Sequence, residues 1–296
     1  GMILLRHLLG YLPVNLLQGL VGFGSVYVFT RLLSDEDYGR YALALAFMMM
    51  VHTVCLTWVE ASAYRFAAKA QADNTGPTHF KTLLSLMAIS FVPTLLAVGA
   101  AVTLFQDNRA LWPALAILAV LMPANTLTQS ALETWRAETR VARYAGLEIA
   151  RVGGGFLAGV SLAYWGGLGA ASPLAGMALA ALVTGSIGLG MLWGRARTGR
   201  QDNAAARSYA AYGLPIAAAL ALDLALSSGD RFLIAYFIDA AAVGAYAAGY
   251  GLADKTVAMV FMWAGMAGSA LIMARYEQDG PEAAREAATG LVRTQI

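Results

Sequence analysis

Charge is what this sequence has least of. Its 296 residues carry 20 basic and 18 acidic side chains, 13% of the chain, about half the share usual in soluble domains. Apolar residues make up 59% before any of the 31 glycines is counted. Too little polar side chain remains to cover a water-facing surface, which excludes a soluble two-domain enzyme. A single cysteine, Cys55, lies inside an apolar run, so there is no disulfide framework. His52 is a lone histidine without cysteine or carboxylate at metal-ligand spacing, which argues against zinc. The net charge of +2 comes without any basic run interleaved with aromatics, so nucleic acid is not an expected partner. Arg6 and His7 precede an apolar run as in a secretory signal, but no small-x-small cleavage site follows, and the segment reads as a retained first helix.

What is present is a series of long apolar runs, each near the 20 residues or so needed to cross a bilayer. Cutting at the charge clusters predicts an all-α polytopic membrane protein of eight spans, at 8–30, 41–60, 82–105, 111–131, 145–165, 170–193, 209–236 and 242–264. With the first residue in the cytoplasm, fourteen Lys and Arg fall inside and only Arg31, Arg40, Arg109 and Arg231 outside, a positive-inside asymmetry that predicts an N-in orientation. The Gly155-x-x-x-Gly159 and Gly190-x-x-x-Gly194 spacings suit close helix packing within one chain.

The chain also repeats itself. RLLSDEDYGRY (31–41) joins the first two spans and YFIDAAAVGAY (236–246) joins the seventh and eighth, aligned without a gap and matching Gly39 to Gly244 and Tyr41 to Tyr246. Six spans separate the copies. Both therefore enter the membrane in the same direction, as in a parallel repeat about an axis along the membrane normal.

RLLSDEDYGRYALALA and SSGDRFLIAYFIDAAAVGAYAAGY resemble the polysaccharide biosynthesis or oligosaccharide flippase family, within the multidrug, oligosaccharidyl-lipid and polysaccharide exporter superfamily. The resemblance implies two six-helix lobes around a central cavity, and movement of polyprenyl-pyrophosphate-linked oligosaccharide from the inner to the outer leaflet of a bacterial cytoplasmic membrane, for O-antigen, capsule or exopolysaccharide synthesis. On this reading residues 1–200 form the N-terminal lobe and 201–296 the start of a second, incomplete one, so that the chain looks like a C-terminally truncated member.

A flippase breaks no bond, so no catalytic residue or cofactor is expected; the expected partners are the lipid-linked oligosaccharide, membrane lipids and a coupling H+ or Na+. An ionisable group inside a span costs at least about 2.5–3.5 kcal/mol and is a functional candidate for that reason. Asp223, deep in the seventh span, and Asp230, seven positions later, are the candidate ion-coupling residues; a structural hydrogen-bonding role for Asp223 and an interfacial pair for Asp230 with Arg231 are the alternatives. Arg31, Arg231 and Lys255 are candidate phosphate contacts, against head-group or snorkelling roles. Asn15 and Gln18 share a helix face and are candidate sugar contacts, against bonding between helices. Glu148 and Arg151, at i and i+3, predict a same-face structural ion pair.

An intramembrane protease fits poorly. Asp223 and Asp230 lie on one span where an aspartyl protease needs facing carboxylates, and the histidines are poorly placed to serve a serine nucleophile. A cation-coupled drug exporter of the same superfamily is the stronger alternative, separated by whether the cleft is lined by cations or by acids and aromatics. An inactive truncated membrane protein is the third.

Overall fold

The computed structural model describes residues 2–254, 256 and 257, with side chains from Leu12 onward. Eight α-helices follow one another: α1 (Met2–Leu32), α2 (Asp35–Cys55), α3 (Thr57–Ala72), α4 (Gly76–Leu104), α5 (Trp112–Ala137), α6 (Val141–Trp165), α7 (Ala171–Ala196) and α8 (Asn203–Phe237), with a 3-10 turn at Arg109–Leu111. A further helix, α9, runs from residue 240 to 254 and no strand occurs among the described residues. Six of the helices are long and apolar enough to cross a membrane, and the bent pair α2–α3 makes a seventh span. These match the first seven expected spans; the eighth begins with α9 and its remainder lies outside the described residues.

The distribution of polarity is the reverse of a soluble domain. Leu96, Leu157, Val183 and Leu226 are exposed, whereas Thr94, Thr126, Thr128, Ser130, Glu133 and Glu148 are buried. Apolar side chains turned outward to lipid and polar groups turned inward are what a bilayer selects.

Helix ends follow local chemistry. Ser34 caps α2 by accepting from the Asp37 amide at 3.2 Å, and Asp35, Glu36 and Asp37 fill its first turn, where the helix dipole favours acids. Asp202 caps α8 by accepting from the Ala204 and Ala205 amides.

The sequence underestimates helix lengths. The expected polar joint 64–81 is mostly helix, with only residues 73–75 outside one, and α5 and α8 also run past their apolar cores. Backbone hydrogen bonding continues into water once a helix is established, so a hydropathy edge marks the membrane boundary and not the helix end. Conversely, the second span is interrupted: at Leu56 the chain leaves helical geometry (φ −121°, ψ −34°) and α3 departs from α2 by 50°.

Close packing centres on α7. A side-chain carbon on Gly176 would lie 2.1 Å from the Gly159 amide nitrogen and 2.6 Å from the Gly155 carbonyl oxygen, so the Gly155/Gly159 spacing brings α6 against α7 within this chain, as expected. Towards α5, Thr128 and Thr184 of α7 share a 3.0 Å hydrogen bond. Gly190 and Gly194 have open space around them.

Packing divides the chain at 248/249, with Gly1–Ala248 as one compact unit and Gly249–Ile296 as another; the expected lobe boundary at 200/201 falls in the connection between α7 and α8. The first unit includes α8 because that helix lies against α2, α3 and α4. Where α1 begins will be called the near side. There Tyr209 of α8 stacks on Phe66 with ring centres 4.6 Å apart, shares a 2.5 Å hydrogen bond with His79, and its carbonyl accepts from Ser62 at 3.2 Å.

On the far side the two repeat segments meet. A side-chain carbon on Gly39 would fall 1.7 Å from the Ala240 carbonyl oxygen, and one on Gly244 would fall 2.4 Å from the Asp35 carbonyl oxygen. Each glycine thus faces the residue four positions before the other, the reciprocity a two-fold axis between the repeats requires. Only glycine permits this backbone approach.

Candidate functional site

The buried charges of the first unit converge on one place. Glu148 of α6, 1% exposed, receives a forked pair from Arg151 one turn later: Nε donates to Oε2 at 2.8 Å and Nη2 to Oε1 at 2.6 Å. The third direction of the guanidinium is filled by Asn125 of α5, whose Oδ1 accepts from Nη1 at 2.7 Å. Gln18 of α1 donates to Glu148 Oε1 at 2.6 Å. Four side chains on three helices therefore close a network in which the fork geometry of arginine matches the carboxylate.

Two further pairs stand beside it. His52 of α2 and Glu60 of α3 approach to 2.9 Å across the break at Leu56. Glu133 of α5 pairs with Arg136 at 2.8 Å and accepts from Gln129 at 2.9 Å. The pairs are in electrostatic contact with one another: Arg151 acts on His52, and Glu60 and Glu148 act on Glu133. Five helices thus contribute to one polar cluster inside an apolar bundle. The pairing offsets desolvation, and removing one member leaves a buried charge uncompensated.

The cluster takes some of the residues singled out from sequence and leaves others out. The Glu148–Arg151 ion pair is present as expected, and Gln18 is bonded between helices. Asn15, one turn earlier and half-buried, stands outside the network. Arg31 is exposed on the far side, its guanidinium 3.6 Å above the Tyr27 ring with Nη1 donating to the Tyr27 carbonyl at 2.9 Å. Asp223 is exposed on α8 beside Leu222 and Leu226, because only one side of that helix is covered by α2–α4.

Asp230 accepts from the Tyr246 hydroxyl and from the Arg231 amide at 2.8 Å. This ties α8 to the second repeat's tyrosine. Half-buried Arg231 acts electrostatically on Tyr38, the neighbour of Gly39. Lys255 lies outside the described residues.

Glu60, Asn125, Gln129 and Glu133 were not among the sequence candidates. Asn125 is polar at mid-span and answers the same criterion that selected Gln18. Glu60 and Glu133 fall at the edges assigned to spans, where a charge looks solvated until the helix is seen to continue.

The family model described as polysaccharide biosynthesis protein matches residues 4–272. The chain belongs to this family. No curated protein and no solved structure matches it. For this family member the matched range takes in every span described above, both repeat segments and the whole polar cluster, and it ties the membrane bundle to polysaccharide biosynthesis.

Proposed function

We propose that this protein moves polyprenyl-pyrophosphate-linked oligosaccharide from the cytoplasmic to the outer leaflet of a bacterial inner membrane, by rocking of two repeat-related halves. The observation that carries the reading is the reciprocal Gly39–Gly244 contact between the starts of α2 and α9, since a two-fold related meeting point on one side of the membrane is what alternating access between two halves needs. The interior cluster supports it: a polar head group can cross a medium without hydrogen bonds only along polar protein surface. On this reading the protein is a transporter and not an enzyme, its coupling ion is H+ or Na+, and Arg31, Arg231 and Lys255 remain the candidate phosphate contacts and Asn15 a candidate sugar contact.

The test is complementation of a flippase-deficient bacterium by the reading frame that encodes this chain. Restored surface polysaccharide is expected; continued accumulation of the lipid-linked precursor with a correctly inserted protein contradicts the reading.

The near side is proposed to face the cytoplasm, from the fourteen-to-four charge asymmetry. Alkaline phosphatase fused in the 105–111 or 166–170 connections is then expected to be active, and in the 73–75 or 138–140 connections inactive. The reverse pattern overturns the orientation.

A further inference from the structure

Among the described residues, the second span is the one broken by a bend, and a titratable pair sits across the break. α2 ends at Cys55, Leu56 is non-helical, and α3 starts at Thr57. His52 is the last basic residue before the break and Glu60 lies in the first turn after it. Their side chains meet at 2.9 Å, and Glu60 is 7% exposed. Eight residues apart, the two would lie just over two turns from each other on an unbroken helix, about 12 Å along its axis. The contact exists because the span is bent, and a stronger contact holds the bend more firmly.

We propose that the His52–Glu60 pair is a proton site that sets the bend of the second span: with the imidazole protonated the pair is an ion pair and the span stays bent, and loss of the proton releases α3 to straighten towards α2. Its use in coupling transport rests on the function proposed above; the bend and its proton dependence do not.

The surroundings suit the exchange of a proton and not the holding of a metal. From α6, Arg151 acts on His52 and opposes the imidazolium, while Glu148 pairs with that arginine through the fork. From α5, Glu133 stands in electrostatic reach of Glu60 and is itself paired with Arg136. The basic and acidic residues of α4, α7 and α8 lie towards the helix ends, at His79, Lys81, Arg195, Arg207, Asp230 and Arg231, apart from exposed Asp223. Arg31 of α1 is at the far end. Histidine is the side chain whose charge ordinarily changes nearest neutral pH, and here it faces one opposing cation and one partner carboxylate.

The bend also leads into the contact between the halves. α2 begins at the Gly39–Gly244 crossing and α3 carries Phe66 and Ser62 against Tyr209 of α8. A change of angle at Leu56 therefore shifts the far-side and near-side contacts of the same span relative to each other.

Cys55 supplies the readout. It is the chain's single thiol, half-buried at the last residue of α2 and packed against the core that contains Leu56. The experiment measures the rate at which a membrane-permeant maleimide labels Cys55 in the full chain in membranes without substrate, from about pH 5.5 to about pH 8. His52→Gln keeps a hydrogen-bond donor to Glu60 but takes up no proton, so dividing the wild-type rate by the H52Q rate at each pH removes the thiol's own titration.

The ratio is expected to rise severalfold from the low to the high end, as the wild-type bend opens and the variant's does not change. Glu60→Gln, which removes the other half of the ion pair, is expected to match H52Q in being insensitive and replaces it should H52Q not insert. A ratio constant across the range overturns the proposal, whether or not the protein proves to move lipid-linked oligosaccharide.

Discussion

Gly39→Ala is expected to separate the starts of α2 and α9 and to abolish transport. The methyl group would stand 1.7 Å from the Ala240 carbonyl oxygen, a backbone atom that no rotamer change can move aside. Overpacking of a well-fitted contact costs about 1–3 kcal/mol, and here two helix starts must shift together. Gly244→Ala should act in the same way through the Asp35 carbonyl at 2.4 Å.

Because both substitutions push the same surfaces apart, the double variant should lose little beyond the worse single one, the non-additivity expected of groups in contact. Gly99→Ala is the control. Nothing lies within 4 Å of a carbon added at Gly99 in α4, and alanine in a helix there should be neutral or stabilise by about 0.5–1 kcal/mol. Thermal midpoints in detergent, read beside surface polysaccharide in the complementation strain, check all four. Equal behaviour of G39A and G99A would show that the contact carries no load.

The second large effect is expected at the ion network. Glu148→Ala removes the carboxylate that holds two directions of Arg151 and the amide of Gln18. It leaves a guanidinium with only Asn125 in a largely apolar interior. Breaking a buried pair from one side costs about 3–5 kcal/mol, enough to prevent a marginally stable bundle from assembling. The double replacement Glu148→Leu with Arg151→Met removes both charges while keeping volume, and should recover much of the folded yield. If the network also serves transport, this variant folds without restoring polysaccharide. A monodisperse size-exclusion profile at wild-type yield for E148A alone would contradict the structural importance given to the pair.

The sequence is most informative where physics acts over a whole segment. Thirteen per cent charge and eight apolar runs leave no alternative to a helical membrane bundle, and each of the first seven runs corresponds to a helix or to the bent pair. The repeat was legible for a different reason: Gly39 and Gly244 are retained in register because each sits against the other's backbone. Glu148 and Arg151 could be paired from their spacing alone. What was not legible depends on geometry between segments. No local pattern says that Glu60 turns back to His52, since the bend at Leu56 contains neither proline nor glycine. Asp223 lies on an exposed side of α8 among the described residues, which its run does not reveal, since an apolar run in a membrane is as compatible with a lipid-facing side as with a buried one. Glu133 falls just past the fourth apolar run yet inside α5, because hydropathy locates the membrane edge and not the end of the helix.

The central claim is transport of an anionic lipid-linked oligosaccharide, and the most direct measurement is translocation itself. Purified full-length protein is reconstituted into vesicles carrying a polyprenyl-pyrophosphate-linked oligosaccharide, and the fraction of sugar accessible to an external glycosidase or lectin is followed in time. The prediction is exchange between leaflets with the wild-type protein, lost with G39A, and no protein-dependent efflux of an organic cation from the same vesicles. Cation efflux without movement of the lipid-linked sugar would contradict the flippase reading and point to a drug exporter.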